Sequence, residues 1–564
     1  MKPFPIHRRI PLAWHAVSVL IVLVALTLSI PALTQSSTMA QGRPLRSALP
    51  TTGTGLPQLP EAPPAHAPAE PCGGCSDGCG GGPRGIPNVY LHSGEFHLQQ
   101  RDLVIPGRGL DFVWARTYRS RIGPDTGQGN GWDFSYNLSI EPQGSAIRLH
   151  DGGGRSDIYL PQTDGSYAAE EFFRSGSFNP DGTFTLLFAD QGTWTFFALD
   201  GSPLAGKVKT IADRNGNSLG FDYDGLGRLQ LVVDTLGRSI QIAHDASGHI
   251  VSVTDFLGRQ VVYEYYQSSD TGGGPGDLES ARSPLVVGTP NGNDFPTGKR
   301  TIYTYSKGFA DPRLNHNLLT VTDPKGQTWL VNEYDPEQDP AELGFDRLTR
   351  QRRGGFGDVI DITYAKGLDP WPLRATVNDA VGNVSELVYD LRGRCRVLRS
   401  FTGRADPDQP TTPTTNRPTN PLRPDDPPFF ETRWTYNTDS LAVKVVHPEG
   451  NITRNVYELE LQPLASARSR GNLRERRRLP GSHMPPGIQS ELVESFEYDS
   501  GFGGCCGSNF VVRHTDARGN VTEHDYDTKG NRVQTRHRIP SIVEEFDYNA
   551  FGQLIRHIHP DNGQ

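Results

Sequence analysis

The feature that most constrains this chain is a four-residue phrase, Asp-x-x-Gly, repeated on an almost fixed pitch. Asp213, Asp224, Asp234, Asp245 and Asp255 each open one, at spacings of 11, 10, 11 and 10 residues. A type I turn favours Asp first, where its carboxylate accepts backbone N–H bonds, and Gly fourth, where positive φ costs little. Gly227, Gly237, Gly248 and Gly258 hold that fourth place. About six residues remain between corners, the length of a short strand. Two strands and two turns make a unit of 21 residues.

The side chains between the turns keep the same frame. Leu219, Phe221 and Tyr223 align with Ile240, Ile242 and His244, and then with Val261, Tyr263 and Tyr265. Alternate residues lie on one side of a strand, so one face of the resulting sheet is apolar. The phrase returns at Asp323 to Gly326, Asp379 to Gly382, Asp390 to Gly393, Asp516 to Gly519 and Asp527 to Gly530. His447 to Gly450, followed by Tyr457, keeps the frame with Asp replaced. Fixed-period turns and strands mark a repeat array whose units bury surface only against their neighbours.

Composition agrees with many turns and short strands: 35% of residues are hydrophobic, beside 63 Gly and 45 Pro. The net charge of -9 supplies no polycation, so no nucleic-acid partner is expected. The predicted fold class is all-β, an extended antiparallel sheet coiling into a shell or barrel-like segment behind a β-rich N-terminal module.

The chain divides along its length. Residues 1–40 carry Lys2, Arg8 and Arg9 before an apolar run from Val17 to Ile30, the pattern of an export signal or a retained membrane anchor. Secretion or display at the cell envelope follows, with membrane contact only through this segment if it is uncleaved. Residues 41–85 form a Pro/Gly/Cys-rich linker, and 86–206 an N-terminal β module. Repeats occupy 207–267, 301–404 and 429–564, with insertions at 268–300 and 405–428 whose Gly and Pro content predicts exposed loops. The last unit, opening at Tyr548, breaks off near His559, so a continuation or a capping partner chain is expected to cover its edge.

Motifs for chemistry are scarce. Gly74-Cys75-Ser76-Asp77-Gly78 spells a nucleophile elbow but has no strand before it and no helix after it. Gly292 to Lys299 resembles a phosphate loop with the wrong glycine spacing and Arg300 in place of Ser or Thr. The cysteines, Cys72, Cys75, Cys79, Cys395, Cys505 and Cys506, supply only half of a zinc site and read as disulfides or free thiols. Calcium solenoids need a nine-residue frame that is absent here. Arg468, Arg470, Arg474, Arg476, Arg477 and Arg478 form one basic cluster, read as a solvated face because no aromatics interleave them. No catalytic residue, cofactor or metal is expected.

Tyr223-Asp224-Gly225-Leu226-Gly227-Arg228, Tyr389-Asp390-Leu391-Arg392-Gly393-Arg394 and Tyr526-Asp527-Thr528-Lys529-Gly530-Asn531 resemble the YD repeat of bacterial Rhs proteins. Teneurins and the C components of insecticidal toxin complexes are similar. The segment from His92 to Arg121, continued to the Gly-x-Gly-Trp of Gly129 to Trp132, resembles the module that precedes the repeats in Rhs proteins. The resemblance implies a hollow repeat shell and a separate C-terminal domain carrying toxic activity, of which residues up to 564 show no trace. It implies a scaffold or carrier for toxin cargo, not an enzyme. A surface adhesion protein, binding carbohydrate through its Trp and Tyr side chains, is the alternative; an enzyme acting on polysaccharide would need a carboxylate pair that the sequence does not single out.

Overall fold

The structure is a computed structural model and describes residues 88–354, 357–367, 370–481, 489–501 and 509–560. The export segment, the linker, the Gly-Cys elbow motif and all cysteines except Cys395 lie outside the described residues.

Residues from Leu138 to Ile558 form one antiparallel sheet of 32 strands. Each strand pairs with the next in sequence, from Leu138–Gln143 on Ala146–Asp151 to Val543–Tyr548 on Leu554–Ile558. Among the described residues no ladder joins the first of these strands to the last, so the sheet is not closed. Sequential antiparallel pairing is what short turns enforce, because a two-strand hairpin cannot cross over.

The sheet begins at Leu138, well inside the 86–206 segment. Its early strands lack the Asp-x-x-Gly pitch yet continue the same ladder through Arg174–Phe178, Phe184–Phe188 and Thr193–Phe196. What remains of the module is a separate four-stranded sheet: Val89–Tyr90, Glu95–Ile105, Phe112–Arg119 and Trp132–Phe134.

That small sheet and the long one share one apolar core. Leu219, Phe221, Ile240, Ile242, Val261 and Tyr263, the alternate residues of the repeat frame, are all buried in it with Trp114, Tyr118 and Trp132. Burying each such side chain contributes roughly 1.5–3 kcal/mol. Polar groups fix how the layers meet. Trp132 Nε1 donates to the Tyr305 hydroxyl at 2.8 Å, and Tyr118 donates to His316 O at 2.7 Å while accepting from Leu318 N at 2.9 Å. The wholly buried Arg116 lies 2.5 Å from Asp102, whose carboxylate also accepts from the Tyr263 hydroxyl at 2.6 Å. Breaking a buried pair of this kind leaves an uncompensated charge, so it strongly constrains how the layers pack.

One sequence expectation needs correction, and two need a finer description. The 268–300 span contains a ladder strand, Leu278–Arg282, paired on both sides. Before it, Asp277 is fully buried and accepts from Asn130 Nδ2 at 3.0 Å and Gly274 N at 2.7 Å, so the glycines allow close approach to the module. Leu285 and Val287, beyond the strand, are exposed as expected.

The Pro-rich 405–428 insertion is the strandless, mostly exposed loop expected, and it is also anchored. Arg417 reaches Glu386 at 2.7 Å, and Asn378 donates to the carbonyls of Asp406 and Gln409 at 2.9 and 3.2 Å. Glu386 is completely buried beneath Arg399, Arg417 and Arg374, at 3.0, 2.7 and 3.5 Å. Proline stops the insertion from extending the ladder but not from packing on it.

Four arginines of the cluster, Arg474, Arg476, Arg477 and Arg478, lie on a strand, Leu473–Leu479, and Arg468 and Arg470 precede it. Arg474 pairs with Glu458 at 3.4 Å and Arg478 with Glu494 at 3.0 Å. The face is thus ion-paired as well as solvated, with Arg478 exposed.

Candidate functional site

Each repeat signature serves two neighbouring hairpins. At the turn, Asp224 Oδ1 accepts from the N–H groups of Leu226 and Arg228, both at 2.9 Å, and Oδ2 takes Arg228 Nε at 2.7 Å. The Gly227 N–H closes the turn on Asp224 O at 2.9 Å with φ at 75°. Asp234 with Gly237 and Arg238, and Asp255 with Gly258 and Arg259, repeat this arrangement. Asp245, Gly248 and His249 form a looser version, with the imidazole 3.4 Å from the carboxylate. Asp390 with Gly393 and Arg394, and Asp527 with Gly530 and Asn531, follow the same plan. The N–H of Arg228 is the main cause holding the half-buried Asp224 carboxyl below the ordinary range.

The residue after the glycine is the clamp that sequence reading missed. Arg228, Arg238, Arg259, Arg394, Asn520 and Asn531 all stand four residues after their Asp. The regular placement of Arg or Asn there was the available signal. A type I turn followed by a left-handed glycine adds one residue to the hairpin, and the register shifts between Asp222 and Tyr223.

The tyrosine acts at the open end of the preceding hairpin. Tyr223 donates to Val208 O at 2.8 Å, Tyr265 to Ile250 O at 2.7 Å, and Tyr526 to Val511 O at 2.8 Å, in each case 15 residues upstream. Tyr364 and Tyr548 make the same bond across 16 residues. Tyr and Asp are adjacent because one side chain ties the open end of the hairpin behind it and the other closes the turn ahead. Tyr389 is fully buried in the common core.

These residues therefore line a row of hairpins and do not converge on one catalytic point. Three of them, Tyr223, Gly227 and Gly248, do face a cleft of about 150 Å³ between the end of the module and the first repeats. Lys207, Arg228 and His244 supply its basic groups and Tyr136 part of its aromatic wall. Burial lowers the pKa of Lys207 and, with the nearby Arg228, that of His244. Among the described residues no three His, Cys, Asp or Glu side chains surround a common point, and no helix is long and apolar enough to cross a membrane.

The architecture defines an all-β protein built as one ladder of hairpin repeats with a β module against its inner face. A family model described as "Domain of unknown function (DUF6531)" matches residues 88–159, the module and the first strands of the sheet. No curated protein matches the chain. Among solved structures, the chain is similar to the crystal structure of TcdB2-TccC3-Cdc42, at 13% identity and a TM-score of 0.31, over 82% of this chain and 23% of that one. It is also similar to the Photorhabdus luminescens Tc holotoxin pore with a TccC3 mutation, at 12% identity and a TM-score of 0.30, over 82% and 21%. The chain thus spans about a quarter of the length of the solved chains it matches.

Proposed function

We propose that this chain is an exported scaffold of the Rhs type, a structural carrier in a toxin system with no catalysis of its own. The observation that carries this reading is the use made of the repeat signature. Its ionisable side chains close turns, its tyrosines tie strands, and together they maintain one ladder from Leu138 to Ile558. The resemblance of the repeats and of the preceding module to Rhs proteins supports the toxin-system part. Its partner is then a toxin cargo or a capping chain, and residues 1–40 provide export to the cell envelope or beyond.

The carbohydrate-binding alternative has less support. Trp114, Trp132 and Trp194 are buried, and Trp329, Trp371 and Trp434 are half-buried, so no described tryptophan is fully exposed.

A protease-sensitive peptide joined after Gln564 tests the carrier reading. Cleavage at least tenfold slower than on an unrelated carrier, once the capping chain is supplied, is expected. Cleavage at the free rate, together with specific signals on a glycan array, would replace the carrier with the adhesion reading.

A further inference from the structure

One departure from the repeat frame falls at a cavity. Tyr223, His244 and Tyr265 occupy equivalent positions 21 residues apart. The two tyrosines donate to backbone carbonyls 15 residues upstream, Val208 O at 2.8 Å and Ile250 O at 2.7 Å. The equivalent carbonyl for position 244 is that of Leu229. Imidazole reaches less far than phenol, and His244 makes no such bond. His244 and Leu229 instead line the cleft of about 150 Å³ between the module and the first repeats.

The cleft holds one uncompensated charge, on Lys207. The backbone there is fixed on both sides: its N–H donates to Leu204 O at 3.0 Å, and its carbonyl accepts from Phe197 N at 2.9 Å. The stem lies over Gly227, where a Cβ would come within 3.1 Å of Lys207 Cε, and the ammonium stands 5.9 Å from the centre of the Tyr223 ring. Among the described residues no carboxylate lies within ion-pair distance of that ammonium, and burial alone lowers its pKa. Arg228 is already paired, through Nε with Asp224 at 2.7 Å and through Nη1 with Asp245 O at 3.4 Å. At His244 the charge of Arg228 is opposed by those of Asp224 and Asp245. Burying a cation without a partner is costly, and an anion that reaches Lys207 offsets that cost.

Much of the remaining wall is apolar. Phe134, Leu138, Leu229 and Ile250 line the cleft and are buried side chains of the module and the sheet. An apolar cavity of this volume holds a molecule the size of benzene. A single free cation among such walls selects a small ligand with one negative charge and a hydrocarbon part, since pockets of this kind orient ligands through a few polar groups. We propose that the cleft binds a small organic carboxylate, its charged head on Lys207 and its hydrocarbon part, no larger than a benzene ring, against Leu138, Leu229 and Ile250. Histidine in place of the frame's tyrosine at position 244 leaves the room that the ligand takes. This inference stands apart from the carrier reading, because it concerns only the cleft.

Calorimetric titration of the full chain with butyrate and with benzoate tests the site, with butyramide and benzamide as the uncharged analogues. Saturable millimolar binding of at least one acid is expected, and binding at least tenfold weaker for its amide. Lys207→Met keeps the stem and removes the charge, and should weaken the acid at least tenfold. His244→Tyr restores the residue of the frame and fills the cleft, so it should abolish binding without lowering the melting temperature. Failure of both acids to bind the wild type saturably, equal affinity for acid and amide, or undiminished binding by Lys207→Met or by folded His244→Tyr would overturn the site.

Discussion

Asn215 and Asn531 lie 316 residues apart and exchange side-chain amide hydrogen bonds, Asn215 Nδ2 to Asn531 Oδ1 at 3.2 Å and Asn531 Nδ2 to Asn215 Oδ1 at 2.9 Å. Each belongs to an Asp-Gly turn, so the sheet curls until an early turn meets a late one. Asn217 Nδ2 donates to Phe551 O at 2.9 Å, and the Arg108 guanidinium lies 3.5 Å over the Phe551 ring, extending the same seam. Contacts this distant in sequence report coiling directly.

Asn215→Ala and Asn531→Ala should each destabilise the chain, with a coupling of about 0.5–1.5 kcal/mol in the double-mutant cycle. Urea unfolding of the four proteins measures it. Strict additivity would mean that the two turns do not meet in solution.

Gly227 and Gly237 separate strain from contact. Both have positive φ, 75° and 76°. A Cβ at Gly227 would lie 2.3 Å from Pro203 O, whereas one at Gly237 meets nothing within 4 Å. Gly237→Ala should cost about 1–2 kcal/mol from the left-handed backbone alone, and Gly227→Ala distinctly more. Equal melting shifts would remove the Pro203 contact from the account.

Tyr265→Phe should cost more than Tyr526→Phe. Both lose a phenol bond to a backbone carbonyl, worth about 0.5–1.5 kcal/mol. Only Tyr265 also contacts the module, accepting from the buried Gln128 Nε2 at 3.3 Å and lying 3.2 Å from Gly127 O. Thermal unfolding of the two variants compares them, and an equal loss would place no added value on the module contact.

The histidines of the module set a pH dependence. Burial, with Arg119 nearby, holds His97 down to about 3. An unfolded histidine titrates near 6.5, so the unfolded chain gains a proton that the folded chain refuses. Stability from this group therefore falls as pH drops from about 6.5 to about 3, by at most about 1.4 kcal/mol per pH unit. Asp133 and Asp346, raised to about 6 mainly by burial, work in the opposite sense. Their folded forms keep a proton that the unfolded chain loses above about 4, so acidification from 6 to 4 favours folding and offsets the histidine loss. The urea midpoint of His97→Gln should move upward relative to wild type between pH 6 and pH 4. A constant difference would contradict a neutral, half-buried His97.

The repeats were legible because turn chemistry is local. Asp213 to Gly258 spell their own corners, and the alternation of Leu219, Phe221 and Tyr223 declares the buried face. The strands from Leu138 to Phe196 were not recognised as part of the same sheet because they lack that pitch, although pairing depends on backbone groups that every residue carries. The docking of Arg417 on Glu386 and the Asp102, Arg116 and Tyr263 contact join residues far apart in sequence, with no nearby motif to announce them. Within the signature, the tyrosine and aspartate were visible but the closing Arg or Asn was read only as part of the motif, since its role depends on reaching back to the carboxylate.

Hydrogen–deuterium exchange across the intact chain tests the central claim, that the sheet and its module form one scaffold. Phe112–Arg119 and Arg300–Tyr305 should be protected to a similar degree and lose protection together as urea is raised, because Trp132, Tyr118 and Arg116 tie them into one core. Early loss of protection in the module, with the repeat strands still closed, would show two independent parts and contradict it.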